Sequence, residues 1–107
     1  MPLSCREITL AELTDQRHGR LLRDDPAQAA ALRAPAPAAD VRLFEGEFNQ
    51  RPVALLRARR DADGWLLISI VVHPATRQRG VARELLRQAG ALLAPAPLRL
   101  PLAVCRT

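Results

Sequence analysis

Residues 66–93, LLISIVVHPATRQRGVARELLRQAGALL, constrain this chain more than any other stretch. The strand-like run 65–72 is apolar at both odd and even positions, so it needs cover on both faces and belongs inside a sheet. After the His73-Pro74 turn comes an arginine-rich loop, and Gly80 opens a stretch with helical period. Val81, Leu85, Leu86, Ala89, Leu92 and Leu93 fall on one face of 80–93, with Arg83, Glu84, Arg87 and Gln88 outward. A helix start has backbone N–H groups without internal partners and the positive end of the macrodipole, so anions settle there. Arg77, Arg79 and Arg83 surround this start, and Gly80 removes a side chain that would hinder close approach. The arrangement suits a phosphate or pyrophosphate. Its plainer alternative is a helix cap with three solvated arginines.

At 107 residues the chain is expected to form one domain over 1–107, with a single modest core. Apolar content of 49% and mean hydropathy of -0.05 fit a globular chain. Phe44, Phe48 and Trp65 are the only aromatic residues, so the core is aliphatic and platforms for stacking nucleic-acid bases are scarce. All sixteen basic residues are arginine. Residues 1–50 carry six arginines against eight acids, while 51–107 carry ten against three. An anionic partner therefore belongs in the second half. Arginines gathered at one helix start suit a compact phosphate ligand better than a track along DNA, and nucleic acid is not expected.

Cys5 and Cys105 lie far apart, without CxxC or histidine at ligand spacing, so two reduced thiols and no metal site are expected. The longest apolar run, 65–72, is interrupted by Ser69 and is far too short to span a membrane, and the cytoplasm is the expected location.

The remaining elements follow from local pattern. Residues 6–10 read as a first strand; within 11–23, Thr14 or Asp15 caps a helix running to Arg23. Pro26 suits the first position of a helix over 26–33. The APAPAA run at 34–39 is a stiff connector. Residues 41–48 alternate, with Phe44, Gly46 and Phe48 on one face and Glu45 and Glu47 on the other. Asn49-Gln50-Arg51 is a turn, 52–59 a strand, and 61–64 a tight turn. A last strand over 98–104 carries Pro101, which points to an edge or a bulge. The order β-α-α-β-β-β-α-β predicts an α/β mixed sheet with helices on its faces, the final strand parallel to the one before the third helix.

That order, with Arg77-Gln78-Arg79-Gly80-Val81-Ala82 following Val71-Val72-His73-Pro74, resembles the GCN5-related N-acetyltransferase (GNAT) superfamily. Its signature is R/Q-x-x-G-x-G/A at the start of the helix after the fourth strand, and Arg77, Gly80 and Ala82 match it. Thr14-Asp15-Gln16, Phe48-Asn49-Gln50-Arg51 and residues 69–81 are most similar to the small PanZ/PanM family of acetyl-CoA sensors. The resemblance implies an acyl-CoA N-acyltransferase fold that binds acetyl-CoA (or CoA). Backbone groups of Ile70, Val71 and Val72 would pair with the pantetheine arm. Amides of Thr76, Arg77, Gln78, Arg79, Gly80, Val81, Ala82 and Arg83 would cradle the pyrophosphate. It also implies an aspartate decarboxylase-like protein partner.

An acetyltransferase of this fold needs to deprotonate an amine and neutralise a departing thiolate. The superfamily often uses a glutamate on the fourth strand and a tyrosine after the fifth. Here 65–72 contains no carboxylate and the chain no tyrosine, so no catalytic residue is assigned. Glu45 and Glu47 either face a substrate or form a solvent-facing edge. His73 reads as a turn residue rather than a general base, and Cys105 sits at the place of a late-strand acid, where a thiol near the end of the chain is weak evidence for that role. Compared with the superfamily the chain ends early, as a C-terminally shortened form, leaving a sheet edge for a protein partner or a homodimer to cover. Two functions remain in view: a sensor or regulator with little or no turnover, and a small N-acetyltransferase acting on an amine by proximity.

Overall fold

Two tight turns set the centre of the sheet. Asn49 and Gln50 both adopt positive φ, 49° and 68°. This is the two-residue turn whose twist matches antiparallel strands, and it folds Val41–Phe48 (β2) back on Arg51–Asp61 (β3). At the far end of β3, Asp61 accepts the Asp63 N–H at 2.9 Å, and Gly64 at φ 129° leads into Gly64–Val72 (β4). Only glycine fits there, because a Cβ would stand 2.7 Å from the Pro97 carbonyl oxygen.

The computed structural model describes residues 3–74 and 80–99. Ser4–Ile8 (β1) pairs antiparallel with β2, and Leu98–Arg99 (β5) pairs parallel with β4, giving a five-stranded sheet in the order β1-β2-β3-β4-β5. The helices are Asp15–Asp24 (α1), Pro26–Arg33 (α2) and Val81–Leu93 (α3). This is the mixed α/β order expected from sequence, including the parallel return after α3.

The sheet is covered on both faces. Under α3, Phe44, Ala54, Leu56, Ala58, Trp65 and Leu67 pack with Val81, Leu85, Ala89 and Leu93. Under α1 and α2, Leu43, Leu55 and Val71 pack with Leu21, Leu22 and Leu32. One irregularity makes this division possible. Arg57 lies opposite Ser69 but Ala58 lies opposite Leu67, so Ile68 is an extra residue in β4. The alternation therefore changes phase at Ile68. Leu67 and Ile70 serve the α3 side, whereas Ser69 and Val71 turn to α1 and α2.

Local chemistry moves some boundaries from those expected. The first strand ends at Ile8 rather than residue 10, because Thr9 and Glu12 form a reciprocal capping box around a single 3-10 turn, Leu10–Glu12. α1 then begins at Asp15 behind the expected Thr14 cap, whose Oγ1 accepts the Arg17 N–H at 3.3 Å, and it runs to Asp24. The second helix has the expected span, with Pro26 in its first turn and the Asp25 side chain as its cap. Beyond it, Arg57 reaches up from β3 and donates to the Leu32 and Ala34 carbonyls at 3.1 and 2.5 Å, closing the helix's C-terminal end. Of the 98–104 strand, the described part is Leu98–Arg99. The rest, with Pro101, lies outside the described residues.

Phe44 has no solvent exposure and stands at the centre of the α3-side core. Phe44→Ala is expected to cost about 3–5 kcal/mol, read as a fall in the urea midpoint with an unchanged m-value.

Candidate functional site

The end of β4 and the beginning of α3 form two walls of a cleft. Gly80 precedes α3 with φ 74° and ψ 18°, the left-handed region that glycine enters without strain. A Cβ built there meets no atom of the described residues within 4 Å. The backbone angle thus asks for glycine, and among the described residues nothing crowds it. Gly80 also supplies no side-chain acceptor to the first turn of α3, whereas Thr14 and Asp25 cap α1 and α2. The first intrahelical bond runs from Glu84 N–H to the Gly80 carbonyl at 3.0 Å. The amides of Val81, Ala82 and Arg83 therefore have no acceptor within the helix.

Ile70, Val71, Val72 and Ala82 line the cleft, about 410 Å³ in volume, together with Asp25 from the α1–α2 corner. Among the described residues, β5 pairs with β4 only at Trp65 and Leu66, so its described part does not reach Ile70 or Val71. Of the other expected binding residues, Val81 turns its side chain into the core at 2% exposure. Arg83 is exposed, with no ion pair among the described residues. Thr76, Arg77, Gln78 and Arg79 lie outside the described residues. Glu84, also in the first turn, is held at about 2 by hydrogen bonds from Arg87 and Gln88. Its charge is thus balanced by Arg87 on the same helix.

The polar groups weighed as catalysts have other tasks. Ser69 is 3% exposed and bonds to the Gln28 backbone carbonyl at 3.3 Å and to the Gln28 side chain, joining β4 to α2. His73 extends the sheet, its N–H donating to the Val53 carbonyl at 2.8 Å. Burial pushes the Cys5 thiol up to about 11, which leaves it protonated and a poor nucleophile. Cys105 lies outside the described residues.

Glu45 corrects the expectation of a solvent-facing edge. Its side chain has no exposure, because α1 covers that face of β2. Arg17 binds it through two nitrogens, at 3.0 and 2.7 Å, and reaches Glu47 at 3.0 Å. His18, equally buried, lies 2.5 Å from Glu45 through Nε2 and accepts the Thr14 N–H on Nδ1 at 3.3 Å. With Nδ1 acting as acceptor, Nε2 carries the proton and donates to the carboxylate. Burial alone would raise the Glu45 pKa, but the bonds from Arg17 and His18 override it and hold the group well below the carboxylate range. Such a group anchors a helix and cannot act as a base near neutrality.

A sequence profile for the PanZ acetyltransferase (GNAT) domain matches residues 6–94. This chain belongs to that family. Solved structures agree on the fold. A GNAT family acetyltransferase from Staphylococcus aureus superposes with a TM-score of 0.63 at 13% identity, covering 94% of this chain and 84% of that one. The ribosomal-protein-S18-alanine N-acetyltransferase of Escherichia coli gives 0.61 at 15%, covering 86% and 59%. An aminoglycoside acetyltransferase from an uncultured soil metagenomic sample gives 0.66 at 14%, covering 100% and 89%. No curated protein sequence matches the chain significantly.

Within this fold the cleft is a fit place for the acyl-CoA that the family implies. Among the described residues it offers a glycine with an uncrowded Cβ position, helix amides without an acceptor inside α3, and a wall formed by the end of β4. Two parts of the site were missed in the sequence. Asp25 reads locally only as a helix cap. The Arg17–His18–Glu45 cluster has a signal available in hindsight: an interior strand beneath an amphipathic helix cannot leave a carboxylate in water.

Because the Glu45 pKa is depressed in the folded protein, its contribution to stability is complete above the unfolded value near 4.3 and is lost as pH falls toward the folded value. Denaturation midpoints are expected to drop between about pH 5 and pH 2. Glu45→Gln should cost on the order of 3 kcal/mol at pH 7 and flatten that slope, so the two proteins converge in acid.

Proposed function

We propose that this chain is an acetyl-CoA-binding GNAT-fold protein that regulates a partner protein, with little or no turnover of its own. The observation that carries the binding half is the open left-handed glycine at the head of α3, beside an apolar cleft bounded by Ile70, Val71, Val72 and Ala82. Amides of Gly80, Val81, Ala82 and Arg83 would receive the pyrophosphate, together with those of Thr76, Arg77, Gln78 and Arg79 before them. Backbone groups of Ile70, Val71 and Val72 would meet the amide-rich pantetheine arm as an added strand does. When bound, acetyl-CoA supplies an activated thioester.

The non-catalytic half is supported by what each polar group of the site is already doing. Asp25 caps a helix, Ser69 joins β4 to α2, and Glu45 is locked in a buried ion pair. Among the described residues of the cleft, none is placed to exchange a proton with both an amine and a thiolate. A regulator in this fold would couple ligand to partner through the elements that the ligand touches. Those are α3 and the α1–α2 corner. The partner suggested by the PanZ/PanM resemblance is an aspartate decarboxylase-like protein, or else a second copy of this chain covering the edge of β4.

Gly80→Val is expected to abolish acetyl-CoA binding in calorimetry. The αL backbone would cost about 1–2 kcal/mol of stability without unfolding the chain. Undiminished affinity would remove the loop from the binding site. Incubation with acetyl-CoA and a panel of amines should release free CoA no faster than buffer hydrolysis. Sustained release would replace the regulatory reading with that of a small N-acetyltransferase acting by proximity.

A further inference from the structure

The three helices are fastened to the sheet unequally. α3 buries Val81, Leu85, Ala89 and Leu93, and its Gln88 bonds to the Leu3 carbonyl. α1 buries His18, Leu21 and Leu22 and is bound to Glu45 through Arg17 and His18. In α2 Leu32 alone is buried, in the last turn, with Ala29 packed partly against the same core. At eight residues α2 is too short to persist in water unaided. Hydrogen bonds to the sheet make up the difference: Ser69 bonds to Gln28, and Arg57 donates to the Leu32 and Ala34 carbonyls. Both fasteners stand at one place, since Arg57 and Ser69 are cross-strand partners immediately beside the extra residue Ile68.

A bulge is a place where the ladder is locally broken and the strand can bend. Just past this one, β4 continues into Ile70, Val71 and Val72, the strand wall of the cleft, and Asp25, the cap of α2, stands at another wall. Val71 also packs in the core beneath α1 and α2. α2 therefore meets the cleft twice, through its cap and through the strand on which it is seated. We infer that α2 is the element through which acyl-CoA occupancy is transmitted: it lifts locally from the sheet in the free protein, and bound acyl-CoA holds it down. The inference rests on acyl-CoA binding in this cleft, and it selects one helix from the elements that the ligand touches. Lifting α2 withdraws the Asp25 wall and uncovers Val71, so the lifted form has no complete cleft. Ligand and lifted form exclude each other, and binding suppresses the opening by mass action. The outer face of α2 then reports occupancy without touching the ligand.

Amide hydrogen exchange, read residue by residue on the full chain by NMR, tests this. In the free protein the amides of residues 29–33 are expected to exchange about tenfold or more faster than those of Leu85 and Ala89. With acetyl-CoA at about twenty times its Kd from calorimetry, the α2 amides should slow about twentyfold, in step with the core. Ser69→Ala removes one fastener and should speed α2 exchange about fivefold in the free protein, and Ser69→Thr, which keeps the hydroxyl, should restore the wild-type rates. Gln28→Met keeps the side-chain length without its hydrogen bond and asks the same question from the helix if Ser69→Ala folds poorly. Three results would overturn the inference while leaving acyl-CoA binding intact: α2 amides as slow as those of α3 in the free protein, α2 rates unchanged by saturating acetyl-CoA, or α2 rates unmoved by both fastener variants. Failure of the wild-type protein to bind acetyl-CoA in calorimetry would overturn the binding reading, and the inference with it.

Discussion

The antiparallel ladder between β3 and β4 is the contact on which the other parts of the molecule depend. It brings two strands with buried faces together in the middle of the sheet, and both cores form against them. The extra residue at Ile68 decides which side chains each core receives. Without the phase change, Ser69 would face the aliphatic core under α3, leaving a hydroxyl without its Gln28 acceptor. Ile70 would turn away from that core. The same bulge lets the far end of β4 present apolar side chains to the cleft while Val71 remains packed under α1 and α2. Folding and the shape of the cleft thus use one local distortion.

Charge is handled differently in the two halves of the chain. In the first half acids outnumber arginines, and Glu7, Glu12, Asp15, Glu45 and Glu47 are paired with them, most completely at Glu45, where burial is tolerated because Arg17 and His18 leave neither carboxylate oxygen without a partner. In the second half arginines are in excess. Arg87 and Arg99 are committed to Glu84 and Asp61, whereas Arg83 stands beside the head of α3 without an ion pair among the described residues. A basic chain can therefore have a strongly anion-seeking end without a uniformly basic surface.

Much of the architecture was legible in the sequence, since period and punctuation agreed. Asn49-Gln50 and the Asp61–Gly64 turn bracket β3, Pro26 opens α2, and the spacing of Val81, Leu85, Ala89 and Leu93 gives the buried face of α3. The head of α3 could be singled out because a glycine there is meaningful under any packing. Other features were hidden because they arise from contacts distant in sequence. Ile68 is an ordinary strand residue until β3 is laid beside it. Glu45 alternates like an exposed residue, and only the arrival of α1 makes it buried. Asp25 caps a helix in sequence and lines a cleft only after β4 and α3 have assembled. The two-residue shift of β1 has a more local cause, the competition of the Thr9–Glu12 capping box with strand extension.

Gln88, in the middle of α3, accepts the Cys5 N–H at 3.0 Å and donates to the Leu3 carbonyl at 2.7 Å. It thus occupies outward-facing backbone groups at the β1 margin of the sheet, where a foreign strand would otherwise find a template. The two margins are consequently unequal: one is guarded by a glutamine that an intruder would have to displace, and the other lies beside the cleft. Any assembly built by strand addition is steered by this asymmetry toward the margin nearer the nucleotide's expected seat.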